Sequence, residues 1–123
     1  QPVQKWLLQN YDNKNILPKG FYKKVNLKLK WRDSLDDLNQ KGLSKIVLLG
    51  GPTLISAFLI EDLINELQIT ITPHLLGGDY SWVSSKLNNL NTVINDCNHW
   101  FLRESKELGN NELLIRYCKY NYF

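Results

Sequence analysis

Apolar and polar positions change rhythm along this chain, and each rhythm predicts a different element. Residues 3–8 carry Val, Trp and Leu with few polar interruptions and read as a short strand, followed by the turn-forming cluster Asn10-Tyr11-Asp12-Asn13-Lys14-Asn15. Residues 23–31 alternate, with Val25, Leu27, Leu29 and Trp31 on one side and Lys24, Asn26, Lys28 and Lys30 on the other. That period of two predicts a half-exposed strand whose lysine face meets water. Ser34, followed three residues later by Asp37, has the spacing of a capping box with Asp in the Glu position. With Leu35 and Leu38 as its apolar stripe, it predicts a short helix over residues 35–41 ended by Gly42.

Ile46-Val47-Leu48-Leu49 follows neither period; it is a continuous apolar run, the pattern of a strand buried on both faces. Gly50 and Gly51 come next, then Pro52 where a first helical residue would sit, then Leu54, Ile55, Phe58, Leu59 and Leu63 at helical spacing. Residues 67–72 alternate again and are rich in β-branched side chains, a strand with Leu67, Ile69 and Ile71 on one face, closed by Pro73. Residues 45–72 thus make a candidate βαβ unit. Residues 100–106 and 113–117, joined by Leu108-Gly109-Asn110-Asn111, predict a β-hairpin. The expected architecture is α/β, a sheet flanked by helices in a single domain over residues 1–123.

Composition narrows the functional classes. The chain has 123 residues, 43% hydrophobic and 22% charged, enough for one packed core. Its net charge of +3 is spread among carboxylates with no dense basic block, so nucleic acid is not an expected partner. Trp6, Trp31, Trp82 and Trp100 therefore read as core or interface side chains, not as base-stacking platforms. Cys97 and Cys118 lack C-x-x-C spacing and His74 and His99 lack H-E-x-x-H spacing, so no metal site is expected. No apolar stretch approaches the roughly 20 residues that span a bilayer, and Gln1-Pro2-Val3 lacks a signal-peptide pattern. No membrane contact and a cytoplasmic setting are the expectation.

The glycine pair is the chain's main chemical candidate. Two glycines ending a strand serve either a tight turn or the close approach of an anion to the free N–H groups of a helix start, where Thr53 could add a hydroxyl. Neither a Gly-Lys-Ser/Thr phosphate loop nor a G-x-G-x-x-G fingerprint is present, so the pattern leaves both readings open. Gly77-Gly78-Asp79 reads as a structural loop. No Ser-His-Asp, Cys-His or paired-carboxylate arrangement is apparent; an enzyme built from this chain would leave the chemistry to a cofactor.

Taken together, Gly50-Gly51-Pro52-Thr53-Leu54-Ile55-Ser56-Ala57-Phe58-Leu59, Leu63-Ile64-Asn65-Glu66-Leu67 and Thr72-Pro73-His74-Leu75-Leu76-Gly77-Gly78-Asp79 resemble one family, the reductase domain of riboflavin biosynthesis known as the RibD C-terminal domain. Its members are similar to "GGPTLAGAFL", "LVDEL" and "PKLLGGD" at matching spacing. The resemblance implies a dihydrofolate-reductase-like fold with a mixed sheet and a C-terminal hairpin. It also implies a homodimer and NADPH-dependent reduction of a phosphoribosylamino-pyrimidine to its ribitylamino form. By position, Gly50, Gly51, Pro52, Thr53, Leu54, Ile55, Ser56 and Ala57 match the segment that cradles NADPH. Leu49 stands where members carry a substrate-contacting Glu, and Leu8-Gln9 where a central strand commonly ends in Asp-Ser. The resemblance covers the later portion of a domain nearly twice this length, so the front part is expected to lack a counterpart here. No catalytic side chain is carried over. The alternative expectations are a non-catalytic reductase-like domain serving dimerisation or partner binding, and a small module binding an anionic partner through Lys23, Lys24, Lys28 and Lys30.

Overall fold

A computed structural model describes residues 3–10, 16–74, 83 and 99–120. The chain divides into two compact units, residues 1–47 and residues 48–123.

In the first unit, β1 (Trp6–Gln9) pairs in parallel with β2 (Lys23–Asn26), Trp6 facing Lys23 and Gln9 facing Asn26. The Lys23 ammonium lies 5.0 Å from the centre of the Trp6 ring, a cation–π contact that keeps the lysine along the ladder. Because β1 ends at Gln9, the ladder runs out with the Leu27 N–H donating to the Gln9 carbonyl at 2.8 Å. The alternation in residues 23–31 therefore overstates the strand: Leu29 is fully exposed and Trp31 already begins a helix.

That helix, α1 (Trp31–Gln40), begins four residues before the expected start, with Lys30 as its N-cap. Ser34 is no capping residue. It is buried within the first turn, and its hydroxyl accepts from the Lys28 N–H at 2.8 Å and donates to the Lys30 carbonyl at 3.2 Å. One side chain thus ties the strand exit to the helix start and supplies a partner for a backbone donor that the ended ladder leaves open. Ser34, Leu38 and Val25 form the core of this unit. Asp37 faces outward and pairs with Lys41 one turn on. The helix stops as expected at Gly42, whose φ of +94° lets its N–H reach the Asn39 carbonyl at 2.9 Å while Leu43 N–H reaches Leu38 at 3.0 Å. This is a Schellman ending, which Gly serves without steric cost.

Residues 43–50 have no regular structure. The strand expected at residues 46–49, and with it the βαβ unit, is absent: Ile46, Val47 and Leu49 are 49%, 83% and 93% exposed. Among the described residues no strand pairs with this run, and an extended run without a ladder partner is not a strand.

In the second unit, α2 (Pro52–Ile60) begins at Pro52 as predicted and buries Ser56, Phe58 and Leu59. It ends in the same Schellman geometry as α1, here with Asp62 at φ +56°, Asp62 N–H to Leu59 at 3.1 Å and Leu63 N–H to Phe58 at 2.9 Å. Lys119 secures this left-handed residue by donating to the Asp62 carbonyl at 3.0 Å. Then come β3 (Glu66–Ile71), β4 (Trp100–Gly109) and β5 (Glu112–Lys119), in spatial order β3-β5-β4, all antiparallel. The predicted hairpin forms, and its turn residues Asn110 and Asn111 have φ of +52° and +62°. These are the two left-handed positions of a type I′ turn, whose twist matches the flanking strands and which Asn tolerates better than most residues. In this register Leu67, Ile69, Ile71, Leu113, Ile115 and Tyr117 share one face.

Candidate functional site

The start of α2 is built by backbone. Gly51 is the N-cap, in extended conformation at φ −76°, ψ 178°, with no side chain capping the helix. Its carbonyl accepts from both the Leu54 and Ile55 N–H groups at 3.1 Å. Pro52 has no N–H, so the donors left at this end are the amides of Gly51 and Thr53, which have no backbone acceptor among the described residues. Gly51, Pro52 and Thr53 are exposed. The helix dipole and these two amides favour an anion here, and residues 48–60 contain no charged side chain that would add to or oppose them.

The two glycines do different work. A Cβ on Gly50 would stand 2.9 Å from Leu54 Cδ2 and 3.2 Å from Leu54 Cβ, so hydrogen at position 50 lets the helix's first apolar side chain fold back over the approach. A Cβ on Gly51 would meet nothing within 4 Å. Open space lies beside the amide that faces solvent, which fits a phosphate group approaching closely.

The remaining residues singled out in the sequence divide by burial. Ser56 is fully buried on the inward face of α2, and its hydroxyl is not at the exposed rim; Leu54, Ile55 and Ala57 are half-buried. Leu49, at the position the resemblance assigns to substrate contact, presents a 93% exposed apolar side chain with no capacity to accept a hydrogen bond. Gly77, Gly78, Asp79, Trp82 and Cys97 lie outside the described residues. His74 is exposed and Cys118 is a buried free thiol. Among the described residues no group of three His, Cys, Asp or Glu side chains is placed to hold a metal ion, and no helix is long and apolar enough to cross a membrane.

One cluster escapes sequence reasoning because only strand register assembles it. On the sheet face opposite the apolar one, Glu66 lies 3.3 Å from Arg103 and 3.1 Å from Arg116, which in turn lies 3.1 Å from Glu104. Arg103 is the extra residue of a β-bulge between Leu102 and Glu104, and the bulge turns it toward Glu66 and the Cys118 sulfur. Donation to that sulfur, with Glu66 and Glu104 beside it, holds the guanidinium further toward its charged form. Arg116 Nε is buried and sits against Glu66 Oε1 without hydrogen-bond alignment; the Arg116 terminal nitrogen instead donates to Gln68 at 3.0 Å. The alternating charges bridge β3, β5 and β4 across a partly exposed sheet face.

A parallel strand pair with α1 in the first unit, and α2 with an antiparallel three-stranded sheet in the second, make the chain mixed α/β. The sequence profile of the RibD C-terminal domain matches residues 4–113, and the chain belongs to that family. Its fold is the dihydrofolate-reductase-like α/β fold of the family. Among solved structures it is similar to a candidate riboflavin biosynthesis protein of Shewanella sp. PV-4, with 29% identity and a TM-score of 0.67. The match covers 94% of this chain and 60% of the Shewanella chain, so this chain spans less than two thirds of that protein's length. No curated protein matches the chain.

Proposed function

We propose that this chain carries the cofactor-phosphate portion of an NADPH-dependent reductase domain that converts a phosphoribosylamino-pyrimidine to its ribitylamino form in riboflavin biosynthesis, in the cytoplasm and as a homodimer. The observation that carries the reading is the α2 start. Within a segment that matches the RibD C-terminal domain, Gly51 and Thr53 offer amides with no backbone acceptor among the described residues, Gly51 beside open space. The Gly51 and Thr53 N–H groups and the Thr53 hydroxyl would hold a pyrophosphate oxygen, with Pro52 fixing the helix's first turn. Gly50 keeps Leu54 folded against the approach, and buried Ser56 anchors the helix from behind. NADPH, when bound, would supply the hydride, so the reading asks no nucleophile of the protein. Leu49 restricts its own position to apolar contact, so polar recognition of the substrate falls to other residues.

Titration of the chain with NADPH and NADH at two salt concentrations tests this. The expected result is preferential NADPH binding with a shallow salt dependence, because the proposed phosphate contact uses backbone amides and not lysines. Absence of binding by a folded chain joined to the rest of a RibD C-terminal-type domain would overturn it.

The second reading is a reductase-like domain without catalysis that binds a partner. The exposed Leu49, where a hydrogen-bonding side chain would serve a polar substrate, favours it. That reading gains if the completed domain folds, dimerises and binds no nicotinamide nucleotide.

A further inference from the structure

Lys119, the last residue of β5, gathers the exit of α2 and the entry of β3. Its ammonium donates to the Asp62 carbonyl at 3.0 Å and pairs with the Asp62 carboxylate, while its backbone N–H donates to the Asn65 carbonyl at 3.1 Å. Its cross-strand partner is Trp100 of β4, whose ring centre lies 5.9 Å from Nζ. The side chain is only 12% exposed, a burial that lysine accepts when its charge is paired. The sequence of α2 gives the reason for a cation here. The helix has no basic residue in its last turn and is followed by Glu61 and Asp62, two carboxylates at the negative end of its dipole. Asp62 also stands at φ +56°, a conformation that a non-glycine residue keeps when its surroundings fix it.

We propose that Lys119 is a positioning residue: by clamping the exit of α2 to β5 it sets the direction of the helix, and so the place of the Gly51 and Thr53 amides at the other end. The helix acts as a lever. Nine residues at about 1.5 Å each make it ~13 Å long, so a tilt of about 10° at the clamp moves its start by roughly 2 Å. Hydrogen bonds to a phosphate oxygen tolerate a few tenths of an ångström, and a misplacement of about 1 Å made far from the chemistry can cost about 100-fold. What the amides hold rests on the cofactor reading; that Lys119 places them does not.

The test has one readout without nucleotide and one with it. Residual dipolar couplings of the backbone amides give the direction of α2 relative to β3, β5 and β4, and a titration gives the NADPH affinity. Lys119→Met keeps an apolar stem beside Trp100 and removes the cation. It is expected to turn α2 while the couplings within the sheet stay the same, and to raise the NADPH Kd about tenfold or more. Lys119→Arg keeps the cation and should restore both. Asp62→Asn removes the ion pair but leaves the carbonyl acceptor, so it should give a smaller change in the same direction, and it carries the test if Lys119→Met does not fold. An unturned helix in folded Lys119→Met, or in Asp62→Asn where that variant stands in, overturns the proposal, as does a turned helix that binds NADPH as tightly as the parent. A parent that binds no NADPH, with α2 turned in Lys119→Met, supports the clamp and overturns the cofactor reading alone.

Discussion

Gly50 is packed against Leu54, so closely that a Cβ at position 50 would lie 2.9 Å from Leu54 Cδ2, whereas the neighbouring Gly51 has open space where its Cβ would be. On the proposed cofactor reading, the pair therefore separates a folding role at Gly50 from a binding role at Gly51. Gly50→Ala forces Leu54 to shift and should destabilise the second unit by about 1 kcal/mol, read from denaturant melts. Gly51→Ala meets no atom and has compatible backbone, so its melt should match the parent within about 0.5 kcal/mol while NADPH affinity falls. Gly51→Asp, adding a like charge at the phosphate, should remove binding from a folded protein. Unchanged NADPH affinity in Gly51→Asp would show that the nucleotide binds elsewhere.

Ser34 joins two elements through one hydroxyl, accepting from Lys28 N–H and donating to the Lys30 carbonyl. Ser34→Ala leaves the Lys28 amide without that acceptor and should cost about 1–3 kcal/mol, with loss of α1 helicity by circular dichroism. Ser34→Thr keeps the hydroxyl but adds a methyl at a position only 1% exposed, so it should recover part of the loss and not all of it. A Ser34→Ala protein as stable as the parent would mean that water replaces the hydroxyl.

The same residue shows where sequence stops being informative. Ser34 and Asp37 have capping-box spacing, yet the helix starts at Trp31 because the parallel ladder ends with Gln9 and the chain turns early. Local signals of turn chemistry were legible: Pro52 at the first position of α2, Gly42 after α1 and Asn110-Asn111 in the hairpin each fix a backbone conformation by themselves. Strand pairing was not. Residues 46–49 have the composition of a buried strand, but a ladder needs neighbours, and composition does not say whether they are present. The ionic cluster at Glu66, Arg103, Arg116 and Glu104 was equally invisible, since it depends on register and on a bulge.

Asn111 occupies the second left-handed position of the hairpin turn at φ +62°. Asn111→Gly suits a type I′ turn better and should stabilise the hairpin by about 0.5 kcal/mol despite the added freedom of the unfolded chain. Asn111→Val, β-branched at positive φ, should destabilise it by about 1–3 kcal/mol. Thermal melts of the two variants should move in opposite directions; a common direction would show that the turn relaxes to another type.

Asp37 is held below the usual carboxylate range chiefly by its hydrogen bond with Lys41, with the charges of Lys41, Lys28 and Lys23 adding to the effect and partial desolvation opposing it. A carboxylate depressed in the folded state binds its proton more readily when unfolded. Its contribution is therefore present above the ordinary aspartate value and is lost as pH falls through the lowered folded value. The pair is exposed and solvent-screened, so the effect should be small and diminished by added salt. Far-UV circular dichroism from pH 7 to pH 2 should show α1 weakening in acid, with a shallower acid loss in Asp37→Asn, which starts from lower stability at neutral pH. Lys41→Met should move the parent's acid transition upward by removing the leading cause of the depression. Identical acid profiles for parent, Asp37→Asn and Lys41→Met would show that the pair does not form in solution.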